Sequence, residues 1–331
     1  MKYRDLIDTA LKGHGADYCE VRIEETDNSR LTYRGKSLEN IAQTSGLGGN
    51  VRAASNGGWG FSSFNGLDEL EAKVADAVAQ AKAVGGSETE LGEVEPHVDV
   101  VPAHIVHDPK DISLDEKKRI MDHYNDLVWS VDGINSADII YGDTSRKTFF
   151  GSSEGSYIEQ EQVHVISRIS AQARKGGDVQ QAGFSLGSQG DFDLIRDLDD
   201  QVIDAAKRAV ALLDAKSLEG GERTVILDPV LAGVFVHEAF GHLSESDNVY
   251  ENEKLREIMY MGRKFGGKHL NFTDGAAIPE LRGSFKYDEE GTPATRTALV
   301  REGELVGRLH SRETAAKLGE SPTGNARAIG Y

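Results

Sequence analysis

A repeated order of alternating and helical segments constrains the fold of this chain more than any other feature. Residues 1–90 predict a short helix, several strands of period two and a closing helix, and residues 103–216 predict the same order again. In the strand DYCEVRIEE, for example, Cys19, Val21 and Ile23 fall on one face. The repetition predicts an α+β fold with a duplicated helix–antiparallel-strands–helix module.

Capping residues and glycine turns give the expected limits of these segments. Helices are predicted at Asp68–Val84 and around Leu194–Leu213, and Ser113 can cap the helix that opens the second unit. The pair Asn56-Gly57 favours a tight turn between two strands. The segments ADIIYGD and SRKTFFG are predicted to be separate strands.

A change in composition at the segment SLEGGER indicates a domain boundary. We assign residues 1–218 to an N-terminal α+β domain and residues 219–331 to a β-rich C-terminal domain. Thr224–Leu227 is predicted to form a strand, after which Asp228 can cap a helix whose first residue is Pro229. Because nearly every residue of that helix is apolar, we expect it to be buried.

The charge balance and the single cysteine limit the partners and the compartment. The chain carries 37 basic and 55 acidic residues, and its net charge of −18 repels nucleic acid and anionic membrane surfaces. No segment approaches the roughly 20 apolar residues that a membrane helix needs, and the N-terminal residues do not resemble a secretory signal. Cys19 alone cannot form an intrachain disulfide, so we expect a cytoplasmic location.

Three ionisable residues follow an apolar stretch in the predicted C-terminal domain. The segment VLAGVFV, residues 230–236, precedes His237, Glu238 and His242. Burying such groups without partners costs free energy, so either the segment is less buried than its composition indicates or a partner is present. Two imidazoles and a carboxylate suit a metal ion best. A buried helix with incidental polar residues at a domain seam is the alternative.

The spacing of the two histidines requires an irregular helix. In the zincin motif H-E-x-x-H, four residue steps return within ~40° of the starting face. Here the histidines are five apart, and a regular helix would splay their imidazoles by ~140°. We therefore predict that the helix widens into a π-bulge or ends at Phe240–His242, where Gly241 tolerates the break. Glu238, beside the first histidine, is in the usual position for a base that takes a proton from an attacking water.

The motif HEAFGHLSESD resembles the signature of the TldD/PmbA family of metalloproteases, historically called modulators of DNA gyrase. The stretches GADYCEVRIEE, GNVRAASNGGWGF, YDEEGTPATRT and SPTGNARA extend the resemblance over nearly the whole chain. It implies a zinc-dependent peptidase that cleaves small or unfolded peptides and forms a dimer with a PmbA-like (TldE) subunit or with itself. The substrate is expected to lie extended against a strand edge. PmbA-like subunits resemble the fold but lack the histidines, so this chain resembles the TldD side.

The resemblance implies roles for five residues around the motif. His237 and His242 correspond to ligands of one zinc ion, and Glu238 corresponds to the catalytic acid/base. Glu245 and Asp247 match an acidic pair that follows the motif in the family, which implies that they support the ligands from behind. The C-terminal domain is accordingly expected to be the metalloprotease domain.

A third metal ligand is missing from this pattern. TldD enzymes are similar in using a cysteine in a segment beyond this chain's end, whereas Cys19 is predicted to be a buried core thiol. We therefore expect a truncated chain that binds zinc weakly and is inactive, since catalytic sites normally use three protein ligands. His269, Asp288 and His310 are candidate substitutes. Asp288 also belongs to a stretch that resembles an active-site loop of the family.

Two other functions compete with a peptidase. A non-catalytic subunit that binds peptides or regulates an active mate would account for the missing ligand, although the intact set of His237, Glu238 and His242 opposes it. Direct binding to DNA or gyrase is suggested only by the family's historical name, and the charge of −18 opposes it.

Overall fold

The computed structural model of the chain describes residues 1–278 and 281–328. The helices are α1 (Arg4–Leu11), α2 (Leu70–Val84), α3 (Leu114–Trp129), α4 (Asp199–Leu212), α5 (Pro229–Val236), α6 (Ser246–Glu251), α7 (Glu253–Ile258) and α8 (Arg312–Leu318). The strands are β1 (Tyr18–Arg34), β2 (Ser37–Ser55), β3 (Gly58–Phe64), β4 (Val98–Val101), β5 (Ile134–Ser152), β6 (Tyr157–Lys175), β7 (Asp178–Gln189), β8 (Phe272–Asp274), β9 (Thr297–Arg301) and β10 (Glu304–Leu305).

The first seven strands form one sheet that joins the two repeated units. Its order is β3-β2-β1-β5-β6-β4, and β7 also pairs with β6. Strands β1 and β5, the first long strand of each unit, pair antiparallel along most of their length. Each unit contains a helix, three antiparallel strands and a closing helix. The predicted duplication in an α+β fold is therefore confirmed, whereas the domain limits 1–218 and 219–331 stay a prediction.

The strands are longer than the sequence predicted. The segments ADIIYGD and SRKTFFG form the single strand β5, because the alternation continues through Asp143 and Thr144. These two residues pair with Val165 and His164 of β6, so no turn interrupts the ladder. The turn predicted at Asn56 is present, where Asn56 has a positive φ of 51°.

The period-two alternation gives the sheet one apolar face and one polar face. Helices α1 and α2 pack over one half of the apolar face, and α3 and α4 pack over the other half. The core residues predicted from the alternation and from the closing helix are buried there: Cys19, Val21, Ile23, Leu70, Val74, Ala77 and Ala81. The opposite face carries charged and amide side chains, which leaves it available for the C-terminal region.

The C-terminal region is not β-rich, contrary to expectation. Thr224–Leu227 forms no strand, and Ile226 is 99% exposed. Among the described residues, the only sheet of this region contains the three short strands β8, β9 and β10, which lie among four helices. An apolar run becomes a strand only where a neighbouring strand satisfies its backbone groups, and this segment has none in the described chain.

The predicted burial of α5 is also wrong. Val230, Leu231, Val234 and Phe235 expose between 50% and 78% of their surface. Apolar residues tend to be buried, but their presence in the sequence does not show that another segment covers them. The ionisable residues that follow α5 therefore carry no large desolvation cost, and the case for a metal site depends on their geometry instead.

The C-terminal region docks on the polar face of the sheet through residues 286–292. The side chain of Gln160 in β6 accepts hydrogen bonds from the backbone N–H groups of Lys286 (2.9 Å) and Tyr287 (3.1 Å). Its amide nitrogen donates to the carbonyl of Tyr287 at 3.0 Å. One buried amide thus satisfies three backbone groups of the docked segment.

Ion pairs hold the same segment to the sheet. Arg146 of β5 pairs with Glu24 at 2.7 Å and with Glu289 at 2.8 Å. Arg52 of β2 pairs with Glu290 at 3.0 Å. These side chains are largely buried, so each charge depends on its partner more than a surface pair would.

We predict that Gln160→Ala lowers the free energy of unfolding by about 2–3 kcal/mol, because it leaves three buried backbone groups without partners. Chemical denaturation measures the change. Gln201→Ala, at an exposed position of α4, is the matched control and is expected to change stability by less than about 0.5 kcal/mol. Equal stability of the two variants would contradict the role given to Gln160.

Candidate metal centre

A capping residue, Asp228, and the first helical residue, Pro229, fix the start of the motif helix, as predicted. The Asp228 carboxylate accepts a hydrogen bond from the backbone N–H of Leu231 at 2.8 Å, and Pro229 occupies the first helical position. The cap satisfies a helix N–H, and proline needs no donor there. Helix α5, which leads into the motif, therefore begins at a defined residue although its apolar side chains are exposed.

The helix widens at the predicted place. Residues His237–Gly241 form a π-helical turn, and His242–Ser244 continue as a 3₁₀ turn. The backbone N–H of His242 donates to the carbonyl of His237, five residues earlier. This bond brings a side chain at position i+5 over the side chain at position i, so the prediction of a π-bulge is confirmed.

Gly241 favours this turn for a reason that the sequence did not reveal. Its φ of −54° is right-handed, so the position does not need the conformational freedom of glycine. A Cβ there would lie 3.1 Å from Nδ1 of His237, closer than ordinary contact. The absence of a side chain at Gly241 therefore leaves room for the His237 ring.

The π-turn gathers three potential ligands. His237, Glu238 and His242 each offer a ligand atom, and these atoms lie within 4.8 Å of one another. The two imidazole ring centres are 4.4 Å apart. All three residues are exposed, so an ion, water and a peptide can reach them. This mixed nitrogen and oxygen donor set fits a divalent ion such as zinc.

An aromatic anchor fixes the π-turn to the C-terminal region. The ring of Phe240 lies 5.1 Å from that of Phe265 and 4.8 Å from that of Phe272, measured between centres. These rings pack against a small core that includes Val249 and Met259. The turn is therefore held through Phe240 while the three candidate ligands face solvent.

Glu245 orients one of the imidazoles. Its carboxylate accepts a hydrogen bond from Nδ1 of His242 at 2.9 Å and another from Asn248 at 3.1 Å. Because Nδ1 is engaged, Nε2 is the nitrogen of His242 left for an ion, an arrangement common behind metal-bound histidines. The supporting role of Glu245 remains a prediction that this contact favours.

Backbone hydrogen bonds tie the segment after the motif to Leu309. The N–H of Leu309 donates to the carbonyl of Ser244 at 2.9 Å, and the N–H of Ser246 donates to the carbonyl of Leu309 at 3.0 Å. These two bonds fix the position of Glu245 between them. The two backbone hydrogen bonds therefore limit how far Glu245 can move from His242.

Asp247 does not belong to the group of three ligand residues, and it lines a cleft that the sequence did not predict. The cleft, of about 560 Å³, is also lined by Arg52, Trp59, Glu290 and Arg327. One signal for it was present, since charged Arg52 alternates with two apolar neighbours in its strand and must face away from the core.

None of the proposed substitute ligands joins the cluster. The group of three ligand residues found in the described chain contains neither His269, Asp288 nor His310. The buried imidazole of His310 contacts Glu320 at 3.1 Å and Ser246 at 3.2 Å. It therefore stabilises the packing of α6.

Asp288 and Cys19 are engaged elsewhere. The Asp288 carboxylate is buried and accepts hydrogen bonds from three backbone N–H groups, those of Glu290, Thr292 and Ala326. It thus organises the docked loop, and the expected active-site role of that loop stays a prediction. Cys19 is fully buried in the first unit, as predicted, and burial raises the pKa of its thiol to about 12.

Comparison with known proteins agrees with the motif and the fold. Three family models match in succession: PmbA/TldA metallopeptidase domain 1 at residues 19–83, the central domain at 107–213 and the C-terminal domain at 220–331. A metalloprotease from Synechocystis is 42% identical over 318 residues, which cover 96% of this chain and 69% of that protein. The chain therefore belongs to the PmbA/TldD family of metallopeptidases, as the motif indicated.

Two further relatives extend this result. A zinc metalloprotease TldD homolog from Saccharolobus solfataricus is 27% identical over 328 residues, covering 96% of this chain and 70% of that protein. A crystal structure from Thermotoga maritima, described as a modulator of a DNA gyrase, superposes with a TM-score of 0.78 at 19% identity. It covers 99% of this chain and 75% of the other, and it shows the shared fold.

None of the helices in the described part of the chain is long and apolar enough to cross a bilayer.

We predict that Glu245→Ala weakens zinc binding by about 10- to 100-fold, because the His242 ring loses the carboxylate that orients it. Competition with a zinc chelator measures the affinity. Glu251→Ala, which removes an exposed carboxylate at the end of α6, should leave the affinity unchanged. Equal affinities for both variants would rule out an orienting role.

We also predict a pH-dependent contribution of Asp288 to stability. Burial, with the nearby Glu290 carboxylate, raises the pKa of Asp288 to about 7. The folded chain then holds this proton more tightly than the unfolded chain, so the contribution falls as pH rises from about 4 to about 7.

Against an Asp288→Asn variant, the difference in unfolding free energy should therefore change by up to about 1.4 kcal/mol per pH unit in that window. Urea denaturation at several pH values measures it. A difference that stays constant across the window would show that Asp288 is not the group responsible.

Proposed function

We propose that this chain is a zinc-dependent peptidase subunit that hydrolyses small or unfolded peptides, with Glu238 as general acid/base. The convergence of His237, Glu238 and His242 on the π-turn carries the proposal. Relatives named metalloproteases, one of them a zinc metalloprotease, support the choice of reaction and of metal.

The residues around the cluster divide the chemical work. When bound, zinc supplies a Lewis acid that polarises the peptide carbonyl and activates water. His237 and His242 would hold the ion, and Glu245 keeps the second ring oriented. Glu238 accepts a proton from the attacking water and delivers it to the leaving amine, which leaves as a neutral group. Because the cluster is exposed, the scissile bond of a peptide can reach it directly.

The substrate on this account is an extended peptide. The cleft that contains Asp247 is also lined by Trp59, Gly60 and Phe61 of β3. Strand β3 lies at one end of the sheet, where an added strand can form main-chain hydrogen bonds without a defined sequence. This arrangement favours unfolded segments over folded proteins.

We propose that the chain acts in a dimer, with a PmbA-like subunit or with a second copy of itself. The apolar side chains that α5 exposes, including Val230 and Phe235, support a protein contact near the motif. Sedimentation velocity of the chain, alone and mixed with a PmbA-like subunit, tests this. A single monomeric species in both samples would contradict it.

We predict that, in a form of the protein that carries the third metal ligand, Glu238→Gln lowers peptide cleavage by about 10²- to 10⁴-fold, the usual contribution of a general acid/base, while bound zinc stays at the wild-type level. Cleavage of an unfolded reporter peptide is measured alone and with the PmbA-like subunit, and zinc is measured by elemental analysis. Glu251→Gln is the matched control and should retain both properties.

The other outcomes discriminate between the alternatives. Unchanged cleavage would remove Glu238 from the mechanism. Joint loss of zinc and cleavage would make Glu238 a ligand and not the base. Peptide binding by the zinc-loaded wild type, without cleavage in either sample, would favour a non-catalytic peptide-binding subunit.

A further inference from the structure

The part of the polar sheet face that the C-terminal region leaves uncovered forms a second cleft. It has a volume of about 810 Å³. The strands contribute outward-facing residues, among them Asn28 and Arg30 of β1 and His164 of β6. Arg282 and Arg327 of the C-terminal region form its other side. The cleft is thus built jointly by the sheet and the docked region.

The charge of this cleft is opposite to that of the whole chain. The chain has a net charge of −18, yet the described residues that line the cleft include four arginines and a single acidic residue, Asp143. Asp143 is already neutralised, because its carboxylate contacts the buried ammonium group of Lys117 at 2.7 Å. The carboxylate therefore offers little to balance the arginines.

Three of the arginines have no acidic partner in the described part of the chain. Arg146 pairs with Glu24 and Glu289, but Arg30, Arg282 and Arg327 form no ion pair within residues 1–278 and 281–328. All three are exposed, so a ligand can reach them. Uncompensated guanidinium groups that line one concave surface attract carboxylate or phosphate groups.

Arg146, Arg282 and Arg327 line the cleft together with His164. Burial lowers the pKa of His164 to about 4, and the charges of Arg282, Arg146 and Arg327 add to the effect. These arginines come from β5 and from two separate segments of the C-terminal region. Their combined influence on one imidazole indicates that the docked fold concentrates positive potential at this position.

The cleft adjoins the one that is lined by Trp59 and Asp247. Arg327 lines both, and Asp247 of the motif segment lines the other. An extended chain can therefore run from the β3 side toward Arg30 across the polar face. At about 3.3 Å per residue, an extended peptide of modest length spans such a path.

We propose that this second cleft binds acidic side chains of an extended peptide substrate, away from the bond that is cut. The proposal rests on the peptidase function above and specifies its substrate class: unfolded peptides with an acidic segment flanking the scissile bond. Backbone pairing at the β3 edge does not depend on the sequence of the peptide. Arg30, Arg282 and Arg327, in contrast, select for carboxylates.

Binding of a fluorescent peptide tests the proposal independently of catalysis. The full chain is kept in a metal chelator, and anisotropy measures its affinity for a peptide with a run of glutamates and for the same peptide with glutamines. We expect the acidic peptide to bind at least about tenfold more tightly, because charged hydrogen bonds to arginine add to affinity. Added salt should reduce the difference.

Variants locate the binding. Arg30→Gln and Arg327→Gln should each weaken acidic-peptide binding at least about fivefold and leave the glutamine peptide unaffected. Arg208→Gln, an exposed arginine of α4 outside the cleft, should behave as the wild type. Thermal denaturation of each variant confirms that it is folded.

Equal affinities for the acidic and glutamine peptides, or wild-type affinities in both cleft variants, would overturn the proposal. So would displacement of the acidic peptide by a lower concentration of a single-stranded oligonucleotide of equal charge, which would make the cleft a nucleic-acid site. Because no metal is present, failure of the zinc-dependent cleavage assay leaves this result readable, and the two proposals can fail separately.

Discussion

One backbone hydrogen bond, from the N–H of His242 to the carbonyl of His237, determines what the motif can do. A regular helix would direct the two imidazoles to different sides, and the five-residue closure brings their centres to 4.4 Å. The space left by Gly241 accommodates this geometry, and the packing of Phe240 holds the turn in place. The donor set is thus produced by the local backbone and not by distant segments meeting.

The second organising feature is the division of the long sheet into two faces. The apolar face is covered by the four helices of the repeated units, whereas the polar face receives the C-terminal region through Gln160, Arg52 and Arg146. Because this docking covers only part of the polar face, it leaves two clefts that share Arg327. The same alternation that builds the core therefore also supplies the surfaces on which a peptide can lie.

Much of this could be predicted from local sequence, and the failures share a cause. The strand faces, the turn at Asn56, the cap at Asp228 and the π-turn depend on residues within a few positions of each other. The exposure of α5 and the absence of a strand at Thr224–Leu227 depend on neighbours that hydrophobicity does not specify. The pairing of Arg52 with Glu290 joins residues 238 positions apart, so without a fold no pattern could have matched them.

X-ray absorption at the zinc edge tests the central claim most directly. The full chain, loaded with one equivalent of zinc, is predicted to show two imidazole nitrogens at about 2.0–2.1 Å, and a variant carrying both His237→Ala and His242→Ala is predicted to lose that signal. A spectrum without imidazole scattering, or one that persists in the double variant, would contradict the convergence of the two histidines on one ion.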